Sequence, residues 1–175
     1  VGGGEDWPSL VEWAVENNWG GIENLALVPG TAGAAPVQNI ACYGHSLHDA
    51  LTWVEAVELA TGAMKRFSNS ECAFGYRTSA FKTALLGRYA VVRIGLKLNK
   101  TPALNLSYRS RYESVRAELS NFAQEPYNVK DVFNAIARIR RRKLPDPSRV
   151  GTVGSVFKNP LVNHVHLKRI QQVCP

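Results

Sequence analysis

The chain reads as an α+β domain, and three observations predict it. Two stretches alternate at strand period, "LTWVEAVELATG" and "RYAVVRIGLKL"; helical periodicity lies on either side of them; and the order never settles into a repeated strand–helix–strand rhythm. The first helix is predicted from Pro8 to about Asn18, with Pro8 in its first turn and Leu10, Val11, Ala14 and Val15 on one face. In the first strand Leu51, Trp53, Val57 and Leu59 are expected to share a face, closed by Thr61 and Gly62. In the second, Val92, Ile94, Leu96 and Leu98 do the same. Helix returns in "NVKDVFNAIARIRRRK", where Asn128 and Asp131 have capping-box spacing and Val129, Val132, Phe133, Ile136 and Ile139 form an apolar stripe.

Residues 99 to 127 are weaker in periodicity and more polar, which predicts an insertion with one short strand around Leu104 to Tyr108 that folds as a mobile lid. Both ends look like the middle of something. "VGGGEDW" begins as if a strand were under way, and Val165, Leu167, Ile170 and Val173 near the other end have roughly helical spacing, so the chain is expected to be a segment of a longer protein.

Hydrophobic content of 45% with no long apolar run excludes a disordered or membrane-spanning chain. The net charge of +7 and pI near 9.5 point to an anionic partner. Cys42, Cys72 and Cys174 are odd in number and lack CxxC spacing, which favours neither a disulfide framework nor zinc and fits a reducing cytoplasm. His45, His48, His164 and His166 have no supporting ligand spacing, so no metal is assigned. Trp7, Trp13, Trp19 and Trp53 read as core or interface residues.

The run "LVPGTAGAAPVQNIACYG" is almost free of bulky side chains from Pro29 through Gly30, Gly33, Ala34, Ala35 and Pro36, and then offers Gln38, Asn39, Tyr43 and Gly44. Small residues let backbone approach a ligand so that peptide N–H groups act as donors; the same run reads equally as an irregular turn. "ECAFGYRTSAFK" holds Arg77 between Tyr76 and Phe81, either pointing at water while the aromatics pack or held for an anion.

Taken together, "PGTAGAAPVQNIACYG", "FGYRTSAFK" and "KLPDPSRVGTVGSVFKNP", in this order and spacing, resemble the UDP-N-acetylenolpyruvoylglucosamine reductases, the MurB flavoenzymes of bacterial cell-wall synthesis, over nearly the whole chain. The insertion with Tyr108 is similar to the family's longer type. The resemblance implies that residues 1–143 form the second lobe of a vanillyl-alcohol-oxidase-type FAD-binding domain, and that 144–175 begin the substrate domain. It implies FAD held by Pro29, Gly30, Gly33, Ala34, Ala35, Gln38, Asn39 and Gly44, with NADPH as co-substrate. It implies reduction of UDP-N-acetylglucosamine enolpyruvate, with Arg77 holding the substrate carboxylate and Ser155 giving the proton, and with Tyr108, Lys143 and Asn159 on the sugar nucleotide. Arg140 to Arg142 are expected to be a solvated face at a helix end.

Departures accompany the matches. Ala41 and Cys42 stand where the family commonly has Gly and Ala, and the family's first flavin lobe and its C-terminal catalytic glutamate lie outside these residues. The chain is expected to be a cytoplasmic monomer with no nucleic-acid or membrane partner. The rival reading is a basic nucleic-acid-binding module, motivated by the charge, "RIRRRK" and "SYRSRYESVR". It lacks any binding motif, and its acidic residues are spread throughout.

Overall fold

Asp6 starts the first helix, α1 (Trp7–Glu16), by accepting the Ser9 amide at 2.9 Å, and Pro8 sits in the first turn, where a missing N–H breaks no bond. Past the C-cap Asn17, Asn18 with a φ of 56° turns the chain so that the Asn18 and Trp19 amides return to the Val15 and Ala14 carbonyls. Trp7, Val11, Ala14 and Val15 are buried, and Leu10 lies at the margin of the core. The computed structural model describes residues 1–108, 114–146, 149–151 and 157–174. They fall into two compact units, Val1–Pro145 and Asp146–Pro175.

Within the first unit, two short strands, β1 (Ala41–Cys42) and β2 (His45–Ser46), pair around the Tyr43–Gly44 turn, and α2 (Leu47–Ala50) leads directly into β3 (Leu51–Glu58). A hairpin turning at Gly62, φ 72°, joins β3 to β4 (Met64–Ser68), and β5 (Tyr89–Leu96) lies on the other side, giving an antiparallel sheet in the order β4-β3-β5. The first residues of the chain extend this sheet: Val1 exchanges hydrogen bonds with Ile94, and Gly3 donates to the Val92 carbonyl at 2.7 Å. The expected strand at the start is therefore an added edge on β5.

The faces of β3 and β5 differ from the alternation read in the sequence. Leu51 pairs with Leu96 but Trp53 with Gly95, so Thr52 is an extra residue; Glu55 pairs with Arg93 but Ala56 with Val91, so Val92 is another. Each bulge moves the following side chains to the opposite face. The core of β3 is consequently Leu51, Val54 and Ala56, while Trp53 and Val57 are only partly buried and Leu59 is exposed. On β5, Ile94 is buried, Tyr89, Val91 and Leu96 pack beside it, and Val92 leaves the core. β4 escaped sequence reading because only Phe67 is buried in "MKRFS".

The insertion contains a helix, α3 (Val115–Leu119), and Leu104 to Tyr108 form no strand. The long helix α4 (Val129–Lys143) has the expected box: Asn128 Oδ1 accepts the Asp131 amide at 3.0 Å and Asp131 accepts the Asn128 amide at 2.9 Å. Its stripe of Val129, Val132, Phe133, Ile136 and Ile139 joins Trp7, Val11, Leu25, Val115 and Leu119 in one core with Val54 and Ile94 of the sheet. In the second unit, α5 (His164–Val173) is capped by Asn163, which accepts the His166 amide at 2.9 Å, and all of its described residues are exposed. No helix among the described residues is long and apolar enough to cross a membrane.

Candidate functional site

Two loops of the first unit are knitted together by side-chain to backbone hydrogen bonds. Arg77 Nη1 donates to the Ala41 carbonyl at 2.9 Å, Asn39 Nδ2 to the Gly75 carbonyl at 3.2 Å, and Ser79 Oγ to the Val37 carbonyl at 2.7 Å. Asn39 Oδ1 also accepts the His48 amide, so this residue shapes the loop from within. Leu27, Tyr43 and Arg77 hold φ values of 54°, 46° and 54°. For residues with a Cβ such backbone costs roughly 1–3 kcal/mol each and collects at sites where function fixes the geometry.

The small-residue loop uses most of its own amides. Ala32 and Gly33 donate to the Glu5 and Gly3 carbonyls, and Ala34, Ala35, Val37, Asn39 and Ile40 donate within the loop. Among the described residues, Gly30, Thr31 and Gln38 are left with amides that donate to nothing, and all three are exposed. A Cβ on Gly33 would stand 2.9 Å from the Gly3 carbonyl oxygen, whereas one on Gly30 meets nothing within 4 Å. The turn-rich backbone of this run closes largely on itself, so among the described residues few of its amides face outward undonated.

Arg140 departs from the solvated face expected of it, whereas Arg142 is exposed as expected and reaches from there to a buried carboxylate. Arg140 turns inward: Nη2 donates to the Leu27 carbonyl at 3.0 Å, and Nε is buried without a hydrogen-bond partner among the described residues. Arg142 makes two bonds, 3.1 and 2.7 Å, to the buried Glu118, which hold its carboxyl below the usual carboxylate range. The missed signal was spacing, since Arg140 lies four residues beyond Ile136 on the apolar stripe. Near it, Cys42 Sγ donates to the Asn24 carbonyl, and burial pushes this thiol up to about 11 against the opposing pull of Arg140 and Arg77.

Tyr108 stands edge-on to Tyr43, ring centroids 5.3 Å apart, beside the Gly44 turn, where φ is 77° and a Cβ would come within 3.6 Å of Tyr108 Cβ. Arg77, Asn39, Tyr43, Gly44 and Tyr108 are thus brought to the two loops around β1 and β2.

The comparisons agree on what this arrangement is similar to. A family model described as FAD binding domain matches residues 1–68. The UDP-N-acetylenolpyruvoylglucosamine reductase of Vibrio vulnificus is 44% identical over 173 residues, covering 99% of this chain and 48% of its own length. That of Pasteurella multocida is 42% identical over 175 residues, covering 100% of this chain and 49% of its own. Over nearly its whole length the chain is similar to this family. It spans about half the length of these reductases. The crystal structure of a MurB reductase from Thermus caldophilus superposes with a TM-score of 0.63 at 25% identity, over 89% of this chain and 46% of that one.

Pro29, Gly30, Ala34 and Gln38 are exposed, and Ala35 is buried. Lys143 is the exposed last residue of α4, one turn beyond Arg140. Asn159 is exposed in the second unit. Ser155 lies outside the described residues.

Proposed function

We propose that this chain supplies the flavin-side loops and the carboxylate anchor of an enzyme that reduces UDP-N-acetylglucosamine enolpyruvate to UDP-N-acetylmuramate with NADPH, as a cytoplasmic monomer in peptidoglycan precursor synthesis. The observation that carries this reading is Arg77, half-buried, held at positive φ and fastened to the Ala41 carbonyl, within a chain 44% identical to curated reductases. The residues fit FAD: among the described residues Gly30, Thr31 and Gln38 offer undonated amides, Gly30 leaves open space, and Arg140 presents a buried N–H without an acceptor. Pro29, Gly30, Ala34 and Gln38 would line the cofactor. Gly33, Ala35, Asn39 and Gly44 would shape that loop, Gly33 by letting Gly3 close on it. FAD, when bound, carries hydride from NADPH to the enolpyruvyl carbon.

Hydride addition puts negative charge on the carbon beside the substrate carboxylate. Arg77 grips that carboxylate and spreads the charge, because a planar guanidinium matches a planar carboxylate and its Ala41 bond fixes the fork. Ser155 gives the proton that ends the step, and Tyr108, Lys143 and Asn159 hold the sugar nucleotide. The test is anaerobic stopped-flow on the full-length protein, following flavin absorbance. Arg77→Ala and Ser155→Ala should each slow reoxidation by the enolpyruvyl sugar at least ~10²-fold and leave flavin reduction by NADPH within a few-fold. Equal slowing of both halves, or of neither, would sink the assignment.

A further inference from the structure

We propose that Asn24 and Asn105 form an amide clamp that positions Tyr108 over the Tyr43–Gly44 turn, making both asparagines positioning residues for the sugar nucleotide; the substrate half of this statement rests on the reductase reading above. Asn24 is 1% exposed, in the single helical turn Glu23–Leu25. Its Nδ2 donates to two carbonyls, Tyr43 at 2.9 Å and Asn105 at 3.0 Å, and so ties together backbone 19 and 81 positions away. The amide cannot turn over, because that would set Oδ1 against the same two carbonyl oxygens.

Asn105 completes the clamp from the other side. Its Nδ2 donates to the Gly44 carbonyl at 2.8 Å, while its Oδ1 accepts from the Ser107 amide at 3.2 Å and the Ser107 hydroxyl at 2.7 Å, which folds the chain back toward Tyr108. Gly44 is where this fits: a side chain there would press on Asn105 Nδ2 at 3.4 Å and Tyr108 Cβ at 3.6 Å. Further back, Asn99 and Gly20 exchange backbone bonds at 2.9 and 2.8 Å, so the segment is anchored before it reaches the turn. Residues 99–108 are therefore a fastened wall whose last residue meets Tyr43 edge to face, and the free energy that holds Tyr108 ready for substrate comes from two amides that need not touch it.

The test compares the native full-length protein with Asn105→Ala and Asn105→Asp by hydrogen exchange and by half-reaction kinetics. Asn105→Asp keeps the acceptor for Ser107 and loses the donor to Gly44, so it should behave like Asn105→Ala. Both should speed exchange across residues 99–108 alone and raise the KM for the enolpyruvyl sugar about fivefold, the scale of one lost hydrogen bond, with flavin reduction by NADPH unchanged. Unchanged exchange in either variant overturns the clamp. Faster exchange with an unchanged KM overturns its role in substrate positioning. A native protein that never oxidises NADPH against the enolpyruvyl sugar would bring down the reductase reading, and the exchange comparison would still decide the clamp by itself.

Discussion

Cys42 and Cys72 show how far burial alone moves a side chain's chemistry. Both thiols are pushed up to about 11 chiefly by burial, from 9.0 in the unfolded chain, whereas Cys174 is exposed. A raised folded value means that the unfolded chain loses these protons first as pH climbs. Their contribution to stability is thus complete below about pH 9 and is lost between about 9 and 11, at up to about 1.4 kcal/mol per pH unit for each thiol. Urea unfolding at pH 8 and pH 10.5 should therefore show a smaller loss in a Cys42→Ala, Cys72→Ala variant than in the native chain, and equal losses would contradict the burial account. The sequence could show that these cysteines lacked metal and disulfide spacing, but not that Cys42 donates to the Asn24 carbonyl between two arginines. The same limit hid Asn24, an ordinary residue in "IENLALVP" until the fold sets it against Tyr43 and Asn105. Arg77 was visible because it stands alone among aromatics, and its backbone conformation adds a physical reason for interest.

At the scale of elements, the helices were legible because their signals are local. Asn128 with Asp131, and Pro8 after Asp6, act within one turn of where they are read. The strand faces were not, because a bulge is created by the partner strand. Trp53 lies over Gly95, and a Cβ at Gly95 would fall inside the van der Waals radius of the indole; Arg66 also stacks on the indole at 4.3 Å while bonding Glu55. Gly95→Ala should consequently cost about 1–3 kcal/mol, the usual penalty of overpacking, by driving the indole off the strand. Chemical denaturation with tryptophan fluorescence checks this: the midpoint should fall and the native emission change, whereas an unaltered midpoint would mean the indole has room to move. The insertion misled for a related reason, since residues 104–108 bond through side chains to a turn and not to another strand. Extended backbone alone does not make a sheet.

At the scale of the whole molecule, every buried hydrophobic residue among the described residues lies in the unit Val1–Pro145, and those of Asp146–Pro175 are all exposed. Stability scales with the apolar surface removed from water, and the described residues of the second unit remove little of their own. The α4 helix, with Val132, Phe133, Ile136 and Ile139, closes the core before residue 145 is reached. Ending the chain at Pro145 should accordingly leave the thermal midpoint within about 3 °C of the 175-residue chain and the denaturant m-value nearly unchanged, since m follows the surface exposed on unfolding. Removing Val165, Ile170 and Val173, which are 62%, 49% and 81% exposed, should also reduce self-association in sedimentation at high concentration. Calorimetry of the two chains decides the matter: a fall of ten degrees or more, or a clearly smaller m-value, would show that residues 146–175 bury surface with the first unit and that the core of this protein does not end at α4.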